Sequence, residues 1–308
     1  MKKFLSIITI ILMSLIIPSN VYAISTIDAK EEIDLTEDCN LTLNYYYDDY
    51  KFNETNVEIY YIASVTNDFR YNLSSDFLNY PIKINGIITD DEWTTLEQTL
   101  NAYIEADSIN PIISTKIDEN TITLTNLTPG LYFIKTDKID TKDYTLIFDE
   151  FLISIPALNE NGTWNYNVEV FPKAEEYIPK YEKIDYTVTK TWIDDGLSRP
   201  ESIDIEIYED GTLVESKILS SDNNWTYTWT TDDDGSTWTV VERNVKEGYN
   251  VSIQTKNRSF YIVNTDPTYQ EENPSTGDNI KIYLYLFVSS LLGIILLVIS
   301  SLIQRKNS

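Results

Sequence analysis

The sequence has no histidine and a single cysteine, Cys39, among its 308 residues. Without an imidazole there is no Ser-His-Asp or Cys-His catalysis and no His-ligated metal. One thiol can neither close an intramolecular disulfide nor build a Cys-rich zinc site. Positive charge is scarce as well: 23 Lys and Arg stand against 49 Asp and Glu, a net charge of −26. Such a chain repels phosphate backbones, which excludes nucleic acid as a partner. No metal site and no cofactor motif is spelled out. Glycine is sparse at nine residues while tyrosine reaches 23, a balance that favours strands over helices. Apolar residues make up 42%, enough for packed cores and too many for a globally disordered chain. At about 100–200 residues per domain the length allows roughly two domains plus extra segments.

The extra segments are at the two ends. Lys2-Lys3, an apolar run from Phe4 to Ile17 and a small-residue exit at Val21-Tyr22-Ala23 follow the order of a secretory signal peptide, so residues 1–23 are read as a leader cleaved after Ala23. At the other end Ile280 to Ile303 is apolar, carries no charge after Lys281 and stops at Arg305-Lys306. That is long enough to span a bilayer with its basic end in the cytoplasm. Directly before it stands Asn273-Pro274-Ser275-Thr276-Gly277. Pentapeptide, span and basic tail together resemble the sorting signal of Gram-positive cell-wall-anchored proteins, whose usual form is LPxTG and whose variants include NPxTG. The resemblance implies sortase as a partner, cleavage between Thr276 and Gly277, and transfer of the threonyl carbonyl to an amine of peptidoglycan or of a neighbouring subunit. It also implies a secreted protein fixed to the cell wall, with residues 280–303 in the membrane only before cleavage. An ordinary single-pass anchor is the other reading of the same segment. Leader and tail (from Gly277 onward) each carry a net +2, so the segment between them, 24–276, carries −30.

Two blocks separate at the charged, proline-flanked run Lys173 to Lys180, and residues 173–184 are read as a linker. The first block, 24–172, is built of short alternating runs, among them 41–47, 57–62, 121–124, 131–135, 144–155 and 164–171. One segment breaks that pattern. Asp90-Asp91-Glu92 opens it, and Trp93, Leu96, Leu100, Tyr103 and Ile104 recur at helical spacing, which predicts one helix near 91–106 laid against a β-sandwich. The second block, 185–266, shows seven strand-like runs at 185–191, 203–208, 213–219, 225–230, 236–242, 249–255 and 259–264, divided by Asp- and Gly-rich turns. That spacing predicts a small immunoglobulin-like sandwich. The turn acids Asp232, Asp233 and Asp234 fit a solvated turn better than a calcium loop, since no full set of oxygen ligands is present.

The second block carries a further resemblance. Val188-Thr189-Lys190-Thr191-Trp192, Arg199-Pro200, Asn223-Asn224-Trp225, Trp238-Thr239-Val240-Val241-Glu242, Gly248-Tyr249 and Ile262-Val263-Asn264-Thr265 follow one another in the order seen in the Cna protein B-type domain of Gram-positive adhesins and pilins. In that family a lysine of the first strand bonds covalently to an asparagine of the last, assisted by an acid on a middle strand. The resemblance therefore assigns an isopeptide bond to Lys190 and Asn264, with Glu242 as the assisting acid. The pattern of the residues agrees with that demand. Val188 and Lys190, Val240 and Glu242, and Ile262 and Asn264 each share a strand face, so every reactive residue follows an apolar one inward.

At the end of the first block, Trp164-Asn165-Tyr166-Asn167-Val168-Glu169-Val170-Phe171-Pro172-Lys173 resembles the pilin motif WxxxVxVYPK, with Phe171 where tyrosine is usual. The resemblance makes Lys173 the amine through which sortase joins subunits into a fibre; Lys180, in a second Pro-Lys, is the alternative. The whole is thus expected to be all-β, two tandem immunoglobulin-like or Cna B-type sandwiches, the first with one inserted helix. It is expected not to be an enzyme but a sortase-processed pilus or fimbrial subunit. The competing function is a wall-anchored adhesin that binds a host protein or glycan without polymerising.

Overall fold

The computed structural model describes residue 29 and residues 31–48 and 50–269. The leader with Ala23, the pentapeptide with Thr276 and Gly277, and the apolar run 280–303 lie outside the described residues. Among those described, no helix is long and apolar enough to cross a membrane. The chain is mostly strand and falls into two compact units. One takes in the described residues up to Tyr80, Ile84–Glu182 and Asp232–Ser236; the other takes in Pro81–Lys83, Lys183–Thr231 and the residues from Thr237 onward.

In the first unit, β1 (Cys39–Asn44) lies between β5 (Thr121–Leu127), antiparallel to it, and β12 (Asn167–Val170), parallel to it. A second sheet runs in the order β3 (Tyr71–Leu73), β2 (Asn56–Val65), β6 (Gly130–Thr136), β9 (Phe151–Ile155), and β4 (Ile113–Lys116) also pairs with β2. Strand alternation assigns the faces. Leu41 and Leu43 of β1 pack with Val57, Ile59, Tyr132, Ile134 and Phe148 in one core. The intervening residues of β6 are equally buried at Leu131 and Phe133, because this sheet is covered on its other side as well. The helix α1 (Asp90–Asp107) supplies that cover, turning Leu96, Leu100, Tyr103 and Ile104 inward.

The helix starts at the first residue of the acidic triplet, one residue earlier than expected. Thr89 is the N-cap and accepts from the Glu92 backbone N–H at 3.2 Å, while the Glu92 carboxylate accepts from the Thr89 N–H at 3.0 Å. This reciprocal box satisfies two donors that a helix start leaves free. Ser108 in the left-handed conformation ends it.

Three expectations for this unit are corrected. The run 144–155 is two strands, β8 (Thr145–Phe148) and β9, broken at Asp149-Glu150, and the two belong to different sheets. The run 164–171 is likewise divided into β11 (Trp164–Asn165) and β12. The linker is shorter than 173–184: residues Ala174–Tyr177 form β13, antiparallel to β8, which itself pairs with β7 (Ile139–Asp140). Charged residues are common on an exposed edge strand because they discourage further pairing, and Glu175 and Glu176 point to solvent here. The same charges make the strand read as a linker.

The second unit is a two-layer sandwich. One sheet orders β17 (Thr226–Asp232), β14 (Lys183–Ile193), β20 (Ser259–Thr265) and β19 (Asn250–Lys256); the other orders β16 (Thr212–Ser220), β15 (Ser202–Glu209) and β18 (Trp238–Arg243). Each of the seven predicted runs overlaps one of these strands. The first and last strands, β14 and β20, are neighbours and parallel, with Lys190 opposite Ile262 and Trp192 opposite Asn264. The inward residues Val188, Ile205, Val240 and Ile262 are fully buried.

One backbone position in the first unit tolerates no side chain. A Cβ on Gly130, where β6 begins beside β2, would lie 2.4 Å from the Ala63 carbonyl oxygen and 2.5 Å from the Tyr61 ring. A strand carbonyl cannot retreat without breaking its ladder. Gly130→Ala should therefore destabilise the first unit by about 1–3 kcal/mol, read as a lowered midpoint in denaturant, whereas Gly196→Ala on an open loop should leave that unit's midpoint unchanged.

Candidate functional site

The inner face of the second unit contains three polar residues where the pattern calls for apolar ones. Lys190 follows Val188 on β14, Glu242 follows Val240 on β18, and Asn264 follows Ile262 on β20. Their exposures are 3%, 2% and 1%. Lys190 and Asn264 come from adjacent parallel strands, two residues out of register on the same face, a diagonal that a lysine side chain can cross. Glu242 reaches them from the opposite sheet. Its Oε1 accepts from Asn264 Nδ2 at 2.9 Å, and its Oε2 lies 3.6 Å from Lys190 Nζ.

The electrostatics of this trio are not those of a closed ion pair. A charge-assisted N–H···O bond is about 2.7–2.9 Å long, well short of the 3.6 Å found here. Lys190 Nζ donates instead to the Thr191 carbonyl at 2.7 Å. Glu242 Oε2 and Asn264 Oδ1 are buried with no hydrogen-bond partner. Burial disfavours both charged forms. It lowers the lysine to about 7, with the nearby Glu242 opposing the shift, and it raises the Glu242 carboxyl above the usual carboxylate range. Burial thus shifts the amine toward its neutral form and the acid toward its protonated form beside a carboxamide, the set of groups needed for acyl transfer to nitrogen.

The wall on the Lys190 side is aromatic. The Trp192 ring lies 4.4 Å from Nζ, and Trp225 packs edge-on against it with ring centroids 4.4 Å apart. The Arg199 guanidinium sits 5.2 Å from the same Trp192 ring. The motif Val188–Trp192 makes Lys190 conspicuous, but nothing in the sequence alone shows that Arg199, Asp194 and Tyr249 gather beside it. Asp194, the first residue past β14, is 8% exposed and binds both of the others.

The remaining predicted residues are placed as follows. Lys173 is exposed just past β12, in an open pocket of about 630 Å³ lined by Tyr46, Phe171, Pro172, Ala174 and Glu175. Lys180 is exposed as well. Cys39 is buried, and burial with nearby acids pushes its thiol up to about 11, so it is not a nucleophile. The first unit has its own lysine–asparagine contact, Lys135 Nζ to Asn101 Oδ1 at 3.4 Å. There, however, the amine is ion-paired with Glu105 and its side chain is 18% exposed.

Comparison with known proteins finds relatives in sequence and in fold. A collagen adhesin of Staphylococcus aureus is 35% identical over 97 residues, which is 28% of this chain and 8% of that protein. The chain thus spans only a small part of the curated relative that it matches. Among solved structures, a single B repeat unit of the S. aureus collagen-binding surface protein shares 17% identity over 75% of this chain and 98% of its own, with a TM-score of 0.26. The shaft pilin SpaA of Lactobacillus rhamnosus GG shares 16% over 76% of this chain and all of its own, with a TM-score of 0.27. The major pilin SpaD of Corynebacterium diphtheriae shares 13% over 76% of this chain and 66% of its own, with a TM-score of 0.28. Residues 186–265, which contain Lys190, Glu242 and Asn264, match the family model of the Cna protein B-type domain.

Proposed function

We propose that this protein is a sortase-processed, cell-wall-anchored surface subunit of pilin type whose second domain closes a Lys190–Asn264 isopeptide bond. The observation that carries the reading is the buried trio: a lysine, a glutamate and an asparagine that share one pocket, with the amine 3.6 Å from the carboxylate, longer than a hydrogen-bonded ion pair. In the reaction, neutral Lys190 Nζ attacks Asn264 Cγ. Glu242, holding its proton, donates to the amide oxygen and polarises the carbonyl. Which amide atom faces the acid is set by a half-turn of a group whose oxygen and nitrogen are alike in shape. The tetrahedral adduct then loses its amino group: the new C–N bond forms, the old one breaks, and the lysine proton passes through Glu242 to the departing ammonia. One bond is made once per molecule, so the process is maturation and not turnover. The bond closes a loop of about 75 residues, which by analogy with a disulfide stabilises by about 4–5 kcal/mol.

At the first domain, Lys173 is the amine offered to the acyl-enzyme that sortase forms on Thr276 of the next subunit; its exposure beside Phe171 and Pro172 supports that role. The first domain, from 24 through β13, and the second, 185–266, stand between a leader ending at Ala23 and a sorting signal in 267–308. The partners are sortase and either neighbouring subunits or peptidoglycan.

Intact mass tests the cross-link directly. The folded protein should be lighter than its sequence by about 17 Da, one ammonia, and Glu242→Ala should restore the full mass while the fold persists. A full mass in the folded wild type sinks the reading.

The pH dependence has a definite sign. In unlinked chain refolded from denaturant, the rate of ammonia loss should rise through about pH 7 as Lys190, lowered to that range, deprotonates. Loss of the Glu242 proton, which burial displaces upward, should lower the rate on its alkaline side. A rate that is flat across this window would show that neither group's protonation matters.

Polymerisation is read from wall extracts. A high-molecular-weight ladder should collapse to a single band with Lys173→Ala and persist with Lys180→Ala. A single band in the wild type would turn the reading to a wall-anchored adhesin that does not polymerise.

A further inference from the structure

The inner face of β14 continues past the reactive lysine. By strand alternation Val188, Lys190 and Trp192 point the same way, and Trp192, half-buried, closes the row at the mouth of the pocket. Two basic groups approach its indole: Lys190 Nζ 4.4 Å from the ring centre and the Arg199 guanidinium at 5.2 Å. A long arginine on a loop has many rotamers, and its side chain is 41% exposed. It is nevertheless held. Arg199 Nε and Nη2 donate to Asp194 Oδ1 at 2.8 and 2.6 Å, and Nε also approaches Oδ2 at 3.2 Å. The Asp194 carboxylate is itself over-determined, since it accepts from Tyr249 OH at 2.7 Å and from the Gly196 backbone N–H at 2.9 Å.

The placement in the sheet gives this network a purpose. Asp194 follows the last residue of β14, and Tyr249 immediately precedes β19. Both strands flank β20, and they do so where Asn264 lies opposite Trp192 on one side and Val251 on the other. The Asp194–Tyr249 bond therefore bridges β14 and β19 just past the end of β20, two residues beyond the reactive asparagine. Building on the cross-link proposed above, we propose that Arg199, fixed by Asp194 and Tyr249, is a positioning residue for it. The guanidinium presses the Trp192 indole over Lys190, keeping water off the amine and the two strand ends in register.

The chemistry of the clamp suits that task. Its hydrogen bonds hold Asp194 down to about 2 and, with burial, push Tyr249 up to about 12, so its charges stay constant over the range in which Lys190 and Glu242 titrate. The charged groups that face Lys190 are Glu242 from β18 and Asp194 and Arg199 from the segment after β14. The guanidinium opposes the ammonium form, and Asp194 favours it. With these two contributions opposed, exclusion of water is the main effect of the clamp. An arginine is required because the planar fork serves the carboxylate while its face lies on the ring, which a lysine cannot do.

The test measures ammonia loss by intact mass in the full chain refolded from denaturant, at a series of pH values, for the wild type, Arg199→Ala, Arg199→Lys and Tyr249→Phe. Arg199→Ala should hydrate the amine, move the rising limb of the pH profile to higher pH and slow bond formation at pH 7 about five- to tenfold, the loss of neutral amine when its pKa rises by about one. Arg199→Lys should not restore the wild-type profile. Tyr249→Phe, which removes one hydrogen bond and little volume, should move the profile the same way by less, so the inference remains testable should Arg199→Ala fail to fold. Unchanged rate and midpoint in the variants that fold, with normal cross-linking of the wild type, overturn the clamp. Absence of ammonia loss in the wild type overturns the cross-link reading itself.

Discussion

A lysine amine and a glutamate carboxyl buried together without an ion-pair bond is the constraint around which the second domain is built. The effective cost of burying a charge is several kcal/mol per ion, and attraction across a 3.6 Å separation recovers only part of it. The stable solution is to bury neither charge. That requires apolar neighbours on both sheets, supplied by Val188, Val240 and Ile262, and it requires the three polar residues to meet across the sandwich. The domain's topology, with its first and last strands adjacent, follows from the same need. Conversion of the amine to an amide, as proposed here, would remove the group that is most costly to keep in that pocket.

The first domain shows how much the surroundings matter. Lys135, Asn101 and Glu105 are the same three residue types, also close together, yet Lys135 is paired with Glu105 and keeps partial access to solvent. An ammonium with a carboxylate partner has no free lone pair to attack with. Sequence composition does not distinguish the two trios; burial and pairing do. Where the strand lies also matters: Glu242 comes from the sheet opposite its partners, whereas Asn101 and Glu105 lie one helical turn apart on α1.

The trio was legible because its three members each interrupt a period-2 apolar pattern at the same phase, and because the second domain is regular enough for turn residues to mark all seven strands. Helix α1 was legible for a similar reason, its apolar stripe at 3.6-residue spacing being unlike anything around it. The strand boundaries of the first domain were not. β8 and β9 form one continuous alternating run in the sequence, and only the turn at Asp149-Glu150 sends them to different sheets. β13 was hidden by the charges that suit an edge. The Asp194–Arg199–Tyr249 network was hidden for another reason: its members are up to 55 residues apart and none lies in the alternating pattern, so only the folded geometry brings them together.

The position of the trio also bears on load. β14 and β20 are the first and last strands of the second domain, parallel neighbours in register from Thr187 opposite Ser259 to Ile193 opposite Thr265. Tension applied to a chain anchored through its C-terminal segment enters at the start of β14 and leaves at the end of β20. It therefore acts along the strands and loads their shared hydrogen bonds in shear. Those bonds are each worth only about 1 kcal/mol net, and every other strand of the domain lies between the two attachment points along the chain. A covalent link from Lys190 to Asn264 would carry the force from one strand directly to its neighbour and leave the intervening 73 residues, 191–263, outside the load path. A disulfide could do the same, but this chain has one cysteine and it is buried in the other domain. If the proposed cross-link forms, the missing thiols and the buried amine are two sides of one solution to mechanical load.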